Sequence, residues 1–244
     1  MQALDRAGEF IMGLFDLFKP NVEKMEAQKD IDGLIKKLEY SDTEKDQVAA
    51  AAALGRIGDK RAVEPLILCL ENDDYSFHKT AAEALLKLGW KPRNDTEKVR
   101  FLIALGDWKK VVELREVAIE PLISTFKKKK YSDRLDAAKA LGEIGYACRF
   151  AGGEIAVDSL INLLQDQDQG IRDVAAYWLG KIGNKKAIKP LIHLMQSRDY
   201  ISVRHTAARS LKNMGDTSAI ELMNAIEKEA EDEGKALFQK TWGR

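Results

Sequence analysis

Three histidines, His78, His193 and His205, and two cysteines, Cys69 and Cys148, are the only imidazoles and thiols in the 244-residue chain. No histidine stands in a His-Glu or His-x-x-x-His pair and the cysteines form no CxxC, so a metal site built on imidazole or thiolate is not expected. Cys148 precedes Arg149, whose charge would favour a thiolate. It lacks an accompanying His or Asp motif, however, and reads as a loop residue. Asp73-Asp74 read as turn residues rather than as a placed general acid–base pair. No P-loop, GxGxxG or GxSxG is present. Gly152-Gly153 ahead of a helix could turn backbone N–H groups toward an anion, a signal too common to carry weight. These residues lead to the expectation of a protein that is not an enzyme and holds no cofactor.

Two other groups could recognise a partner. Lys127-Lys128-Lys129-Lys130 is the one basic run, and it suits either a solvated helix C-terminus or a rim contact to a phosphate-rich polymer. Tyr177-Trp178 places two aromatics side by side, either filling a gap in the packing or forming an exposed hot spot.

The elements that position these residues are set by composition and period. Lys+Arg and Asp+Glu both number 39, so the net charge is zero, which argues against a nucleic-acid coat or an anionic-membrane binder. Hydrophobic residues make up 45%, enough for a core, and two cysteines cannot form a disulfide framework. No apolar run approaches the roughly 20 residues of a membrane span, and no signal peptide is read at the start. The expected setting is cytoplasmic. Residues 1–11 read as an expression scar ahead of a start at Met12, and 12–40 as an N-terminal cap and half-repeat.

Leu-Gly-x-Ile-Gly occurs at Leu54–Gly58, Leu141–Gly145 and Leu179–Gly183, with degenerate copies at Leu85–Gly89 and Leu211–Gly215. Pro-Leu-Ile or a variant comes after it, and a leading half-copy, Gly33-Leu34-Ile35, precedes them all, so that its Leu falls at 34, 66, 122, 160, 191 and 222. The steps of 32, 56, 38, 31 and 31 residues fit one period of 31 with insertions of 25 and 7 residues. Each unit reads as two helices. An Ala pair precedes each Leu-Gly and lets neighbouring helices approach. The closing Gly suits a left-handed C-cap, and Asp59, Asn184 and Asp216 can cap the second helix. Pro65, Pro121 and Pro190 sit in the first turn of that second helix, where a missing N–H costs little. A hairpin of 31 residues cannot bury its apolar face alone, so successive hairpins must stack.

The blocks Ala-Ala-x-x-Leu-Gly-x-Ile-Gly and Ala-Val-Glu-Pro-Leu-Ile resemble HEAT-like repeats of the phycobilisome-lyase type over most of residues 28–227. The resemblance implies an all-α fold: an α-solenoid of about five stacked HEAT-like helix pairs, with an N-terminal half-repeat and an inserted helical hairpin. The solenoid is assigned to 41–227, the hairpin to about 90–117, and a C-terminal cap or tail to 228–244. Proteins with such repeats serve as protein-binding scaffolds, as bilin-lyase and chaperone-like subunits, and in divergent forms as enzymes. Di-iron hydroxylases of this kind need repeated His-Glu pairs, which this sequence lacks. Arg134, Arg172 and Arg204 share one repeat position, held by Gln47 and His78 earlier, and with Asp168 and Asp199 they predict ion pairs between adjacent repeats.

The insertion is expected to begin at Trp90-Lys91-Pro92, with Asp95 capping a helix Thr96–Leu105 and a second helix over Lys109–Leu114. Trp90 and Trp108 would either pack this hairpin on the solenoid or form a lobe closing one side of a groove. Second helices are expected to line that groove, displaying the residue before Pro, the one after Ile, and one three further on. Glu64, Leu68, Glu71, Glu120, Ser124, Asp158, Asn162 and His193 fall at such positions and make a mildly acidic wall, the wrong sign for nucleic acid. Together with Trp90, Trp108, Tyr177 and Trp178 they are the candidate partner-binding residues. The expected function is a non-enzymatic scaffold holding a polypeptide in the groove. The alternatives are a bilin-lyase-like or chaperone-like subunit acting on a tetrapyrrole protein, and a nucleic-acid contact through the lysine run.

Overall fold

The computed structural model describes residues 21–41, 43–71, 77–126, 131–149 and 153–216, together with 221, 224 and 228. The proposed scar, the start of the N-terminal cap, Asp73-Asp74, Gly152, Lys127–Lys130 and nearly all of the tail lie outside the described residues. Among the described residues every regular element is helical. The fold is all-α and of the HEAT-like solenoid kind. It falls into two compact units, Met1–Arg93 with Ala104–Gly106, and Asn94–Ile103 with Asp107–Arg244.

The first unit contains α1 (Val22–Ala27), α2 (Ile31–Tyr40), α3 (Glu44–Ile57), α4 (Val63–Glu71) and α5 (His78–Lys87). Ala50, Ala51, Ala53 and Leu54 are buried along α3, which packs on α2 and α5. Gly58 ends α3 at φ 82°, a conformation open to glycine without strain. Asp59 then accepts the Arg61 N–H at 2.9 Å and caps a 3₁₀ turn, Lys60–Ala62, that leads into α4. The expected capping residue is therefore confirmed, but it caps this turn and not the second helix itself.

The second unit contains α6 (Asp95–Leu105, whose last two residues group with the first unit), α7 (Trp108–Glu113), α8 (Ile119–Thr125), α9 (Tyr131–Ala147), α10 (Glu154–Leu163), α11 (Gln169–Ile182), α12 (Ile188–Gln196) and α13 (Ile201–Asn213). First helices α9, α11 and α13 pack successively, and α8, α10 and α12 pack against them. Their shared core includes Leu122, Leu141, Leu160, Leu179, Leu191 and Leu211, the Leu positions of the two repeat signatures. The Asn94 side chain, not Asp95, caps α6, accepting from the Glu97 N–H at 2.9 Å. Gly145 also departs from expectation. It is buried inside α9, which runs on to Ala147, and a Cβ there would lie 2.9 Å from Ile182 Cδ1. The seven-residue insertion lets the helix continue, so this glycine serves close packing and not a cap.

First helices are seated by a rule that the repeat motif conceals. A Cβ on Gly55 would come within 2.8 Å of Ala84, one on Gly142 within 2.1 Å of Trp178 Cγ, and one on Gly180 within 2.4 Å of Ser210. In each case the Gly of Leu-Gly receives the residue just before the corresponding Leu of the next first helix. Ser210 is fully satisfied there, donating its hydroxyl to the Ala176 carbonyl at 2.8 Å.

The arginine ladder is present. Arg134, 5% exposed, bridges Asp166 at 2.6 Å and Asp168. Arg172 holds Asp199 in a fork at 2.5 and 2.6 Å and donates to the Asp166 and Gln167 carbonyls. Arg204 donates instead to the Met195 carbonyl at 2.9 Å, and Gln47 reaches the Leu38 carbonyl at 3.2 Å in the same manner. At Gln47, Arg134, Arg172 and Arg204 the shared position thus ties a first helix to the residues at or just past the C-terminal end of a neighbouring second helix, whether or not an acid is available.

Candidate functional site

The second helices display the residues that the register predicts. On α4 of the first unit, Leu66, Ile67, Cys69 and Leu70 are buried, while Glu64 and Glu71 are exposed and Leu68 is 58% exposed. Trp90 is half-buried, its N–H donating to the Leu85 carbonyl as the chain leaves Gly89 at φ 69°. On the second unit Glu120, Asp158, Asn162 and His193 are exposed. Ser124 is only half-buried surface, and its hydroxyl donates back to the Pro121 carbonyl at 2.7 Å.

Several acids of the wall are paired with bases. Arg61 pairs with Asp32 at 3.3 Å, Arg93 with Glu64 at 3.0 Å, and Lys186 with Asp158 at 3.5 Å and Glu154 at 3.4 Å. Arg61 and Lys186 come from the 3₁₀ turns that open the next second helices, whereas Arg93 comes from the start of the insertion, ahead of α6. Being solvent-exposed and screened, such pairs contribute little to stability. Their consequence is electrostatic: Glu64 and Asp158 each stand beside a base, Asp158 sharing Lys186 with Glu154.

His193 opens on a cleft of about 390 Å³ at the C-terminal ends of α10 and α12. The Arg172–Asp199 fork lies in its wall with Gln165, Arg198 and Tyr200. The hydrogen bonds from Arg172 hold the Asp199 carboxyl below its usual range, and the same bonds raise Arg172. Arg198 and Tyr200 carry no signal in the sequence because they sit in a turn outside the repeat signatures.

Trp108, Tyr177 and Trp178 are on another face. Trp108 and Val112 of α7 line a cleft of about 400 Å³ with Asp136, Lys139, Ala140 and Glu143 of α9. The α7 helix packs on the first-helix side of the unit and stands before α9 as a preceding layer. Trp108 is thereby removed from any lobe over the second-helix wall. Trp178 is half-buried against Gly142, which settles it as a gap filler, whereas Tyr177 is 45% exposed, edge-on to Trp178 at 5.4 Å. Lys181 Nζ stands 5.6 Å from the Tyr177 ring centre. A glycine facing an aromatic one repeat later was the signal available for this pair.

The thiols are not poised for chemistry. Burial pushes Cys69 up to about 12. Burial also raises Cys148, whose thiol donates to the Glu116 carboxylate. Among the described residues no group of three His, Cys, Asp or Glu side chains could hold a metal ion, and no helix is long and apolar enough to cross a membrane.

Comparison with known proteins places this geometry. The profile of HEAT repeats matches residues 31–123 and 157–237, and that of the PBS lyase HEAT-like repeat matches 133–166. Phycocyanobilin lyase subunit alpha of Picosynechococcus sp. is 42% identical over 80 residues, 30% of this chain and 30% of that protein. Deoxyhypusine hydroxylase of Schizosaccharomyces pombe is 30% identical over 79 residues, 32% of this chain and 25% of that protein. The matches thus span less than a third of these curated relatives. Human deoxyhypusine hydroxylase in complex with glycerol has a solved structure that is 16% identical, covering 80% of this chain and 76% of that one at a TM-score of 0.42. The relatives correct one expectation. Both are enzymes, so the absence of a familiar catalytic motif does not make this chain a non-enzyme. With most of its length matched by the repeat profile, the chain belongs to the HEAT-repeat family.

Proposed function

We propose that the protein binds a polypeptide through the exposed faces of its second helices. Binding of this kind is common to a catalyst that acts on protein and to a scaffold. The observation that carries the reading is Leu68, an apolar side chain 58% exposed where the equivalent positions are Lys36, Ser124, Asn162 and His193. Affinity between proteins concentrates in a few desolvated contacts of this kind. Leu68→Glu is expected to weaken the native partner more than tenfold, or about 1.4 kcal/mol. Folding stability should change by less than about 0.5 kcal/mol, as for other surface substitutions. Partner capture with mass spectrometry, then titration of wild type and variant, measures the first; urea unfolding measures the second. Unchanged affinity would remove Leu68 from the interface.

The likeness to a phycocyanobilin lyase subunit favours a second reading, a lyase-like or chaperone-like subunit acting on a tetrapyrrole protein. Titration with a free bilin, monitored by visible absorbance, decides it. A shifted band supports this reading and an unchanged spectrum removes it.

A further inference from the structure

We propose that the cleft at the C-terminal ends of α10 and α12 binds a carboxylate, supplied by an acidic segment of the polypeptide partner, between Arg198 and His193. This names the partner chemistry for one unit and so rests on the polypeptide-binding reading above.

The charges in the cleft are nearly all accounted for. Its acids are Asp166 and Asp199. Asp166 accepts from Arg134 at 2.6 Å and from the Asp168 N–H at 2.9 Å. Asp199 is held through both oxygens by Arg172 and also accepts the Tyr200 N–H at 2.7 Å. The helix ends that would otherwise present negative carbonyls are engaged as well. The Leu194 carbonyl accepts Ser197 Oγ at 2.7 Å, the Met195 carbonyl accepts Arg204, and the Asp166 and Gln167 carbonyls accept Arg172. With Arg172 neutralised by its fork, the groups left to meet a ligand are the exposed Arg198 guanidinium, the His193 imidazole, the Gln165 amide and the Tyr200 phenol.

A guanidinium with hydrogen-bond donors around it matches a carboxylate. A guanidinium offers a planar fork that pairs two N–H groups with the two oxygens of a carboxylate. Lys189, exposed four residues before His193 on α12, extends the positive character along the same helix face and so favours several acids in series over a single one. The volume of about 390 Å³ admits one or two side chains and not a folded surface.

The test uses the full chain and a fluorescein-labelled hexaglutamate peptide, with anisotropy read at low salt. Wild type is expected to bind it and to ignore hexaglutamine. Arg198→Ala should weaken binding at least tenfold and Arg198→Glu should abolish it, with unchanged circular dichroism. Lys181→Ala, on the first-helix side, should have no effect. Equal losses from Arg198→Ala and Lys181→Ala would reveal diffuse attraction and overturn the site. Competition by inorganic phosphate at lower concentration than acetate would overturn its carboxylate preference. A native partner that binds Arg198→Ala normally while hexaglutamate is lost would overturn the assigned occupant and leave the polypeptide reading standing. Loss of both hexaglutamate and native-partner binding in Arg198→Ala, with a harmless Leu68→Glu, would support the cleft and remove Leu68 from the interface.

Discussion

Arg172→Met is expected to cost roughly 3 kcal/mol of folding stability at neutral pH, because it removes one partner of a buried ion pair and leaves the other without compensation. The Arg172 and Asp199 side chains are 14% and 9% exposed. The substitution also leaves the Asp166 and Gln167 carbonyls without their donor. Methionine preserves much of the aliphatic stem, so the loss reports on the charged end. The pH dependence gives a second signature. Arg172 depresses the Asp199 carboxyl in the folded state, so the pair stabilises above the unfolded value, about 3.9, and that stability fades as pH falls through the lower folded value. Urea unfolding at neutral pH and near pH 3 should therefore show a gap between wild type and Arg172→Met that narrows in acid. A gap of constant size would mean that the lost carbonyl contacts, and not the ion pair, account for the effect.

Gly142→Ala is expected to destabilise by about 2 kcal/mol although alanine is the better helix former. Helix propensity alone would favour alanine by about 1 kcal/mol. The new Cβ, however, would stand 2.1 Å from Trp178 Cγ, at the root of the ring where rotation cannot relieve the clash. Overpacking of this kind costs about 1–3 kcal/mol, and here the indole has to leave its place to accommodate the methyl. The decisive measurement is a double-mutant cycle. In a Trp178→Ala background, Gly142→Ala should become neutral or stabilising, giving a coupling of about 2 kcal/mol or more in magnitude. Additive effects would show that Trp178 is not what occupies the space over Gly142.

The period, the helix pairs, the glycine at φ 82° after α3 and the prolines at the third position of α4, α8 and α12 could all be read from the chain, because each is a local rule repeated several times. The inward and outward positions of the second helices were equally legible, down to the exposure of Leu68. Relations between repeats were harder. Glu64 looks like a displayed acid until Arg93, 29 residues later, is seen to reach it. Trp108 looks like part of a groove-side lobe because an insertion carries no register of its own. Its helix packs on α9 from the first-helix side, where the face of Asp136, Lys139 and Glu143 receives it. Arg198 lies in a turn, and its relation to His193 depends on how α12 ends. Function was the least legible, since the repeat specifies a stack and leaves chemistry to side chains that the stack does not constrain.

The arginine clamps also set an order of opening for the second unit. Helix α11 is held from both sides: Asp168 at its start takes Arg134 from the layer before, and its own Arg172 reaches forward to Asp199. Among the described residues, helix α13 is clamped from behind, through Asp199, and its Arg204 donates to the Met195 carbonyl. Releasing α13 breaks one fork, whereas releasing α11 breaks two clamps and exposes both of its neighbours. Amide protons of α11 are therefore expected to exchange with solvent only through the largest openings of the unit, and those of α13 through smaller and more frequent ones.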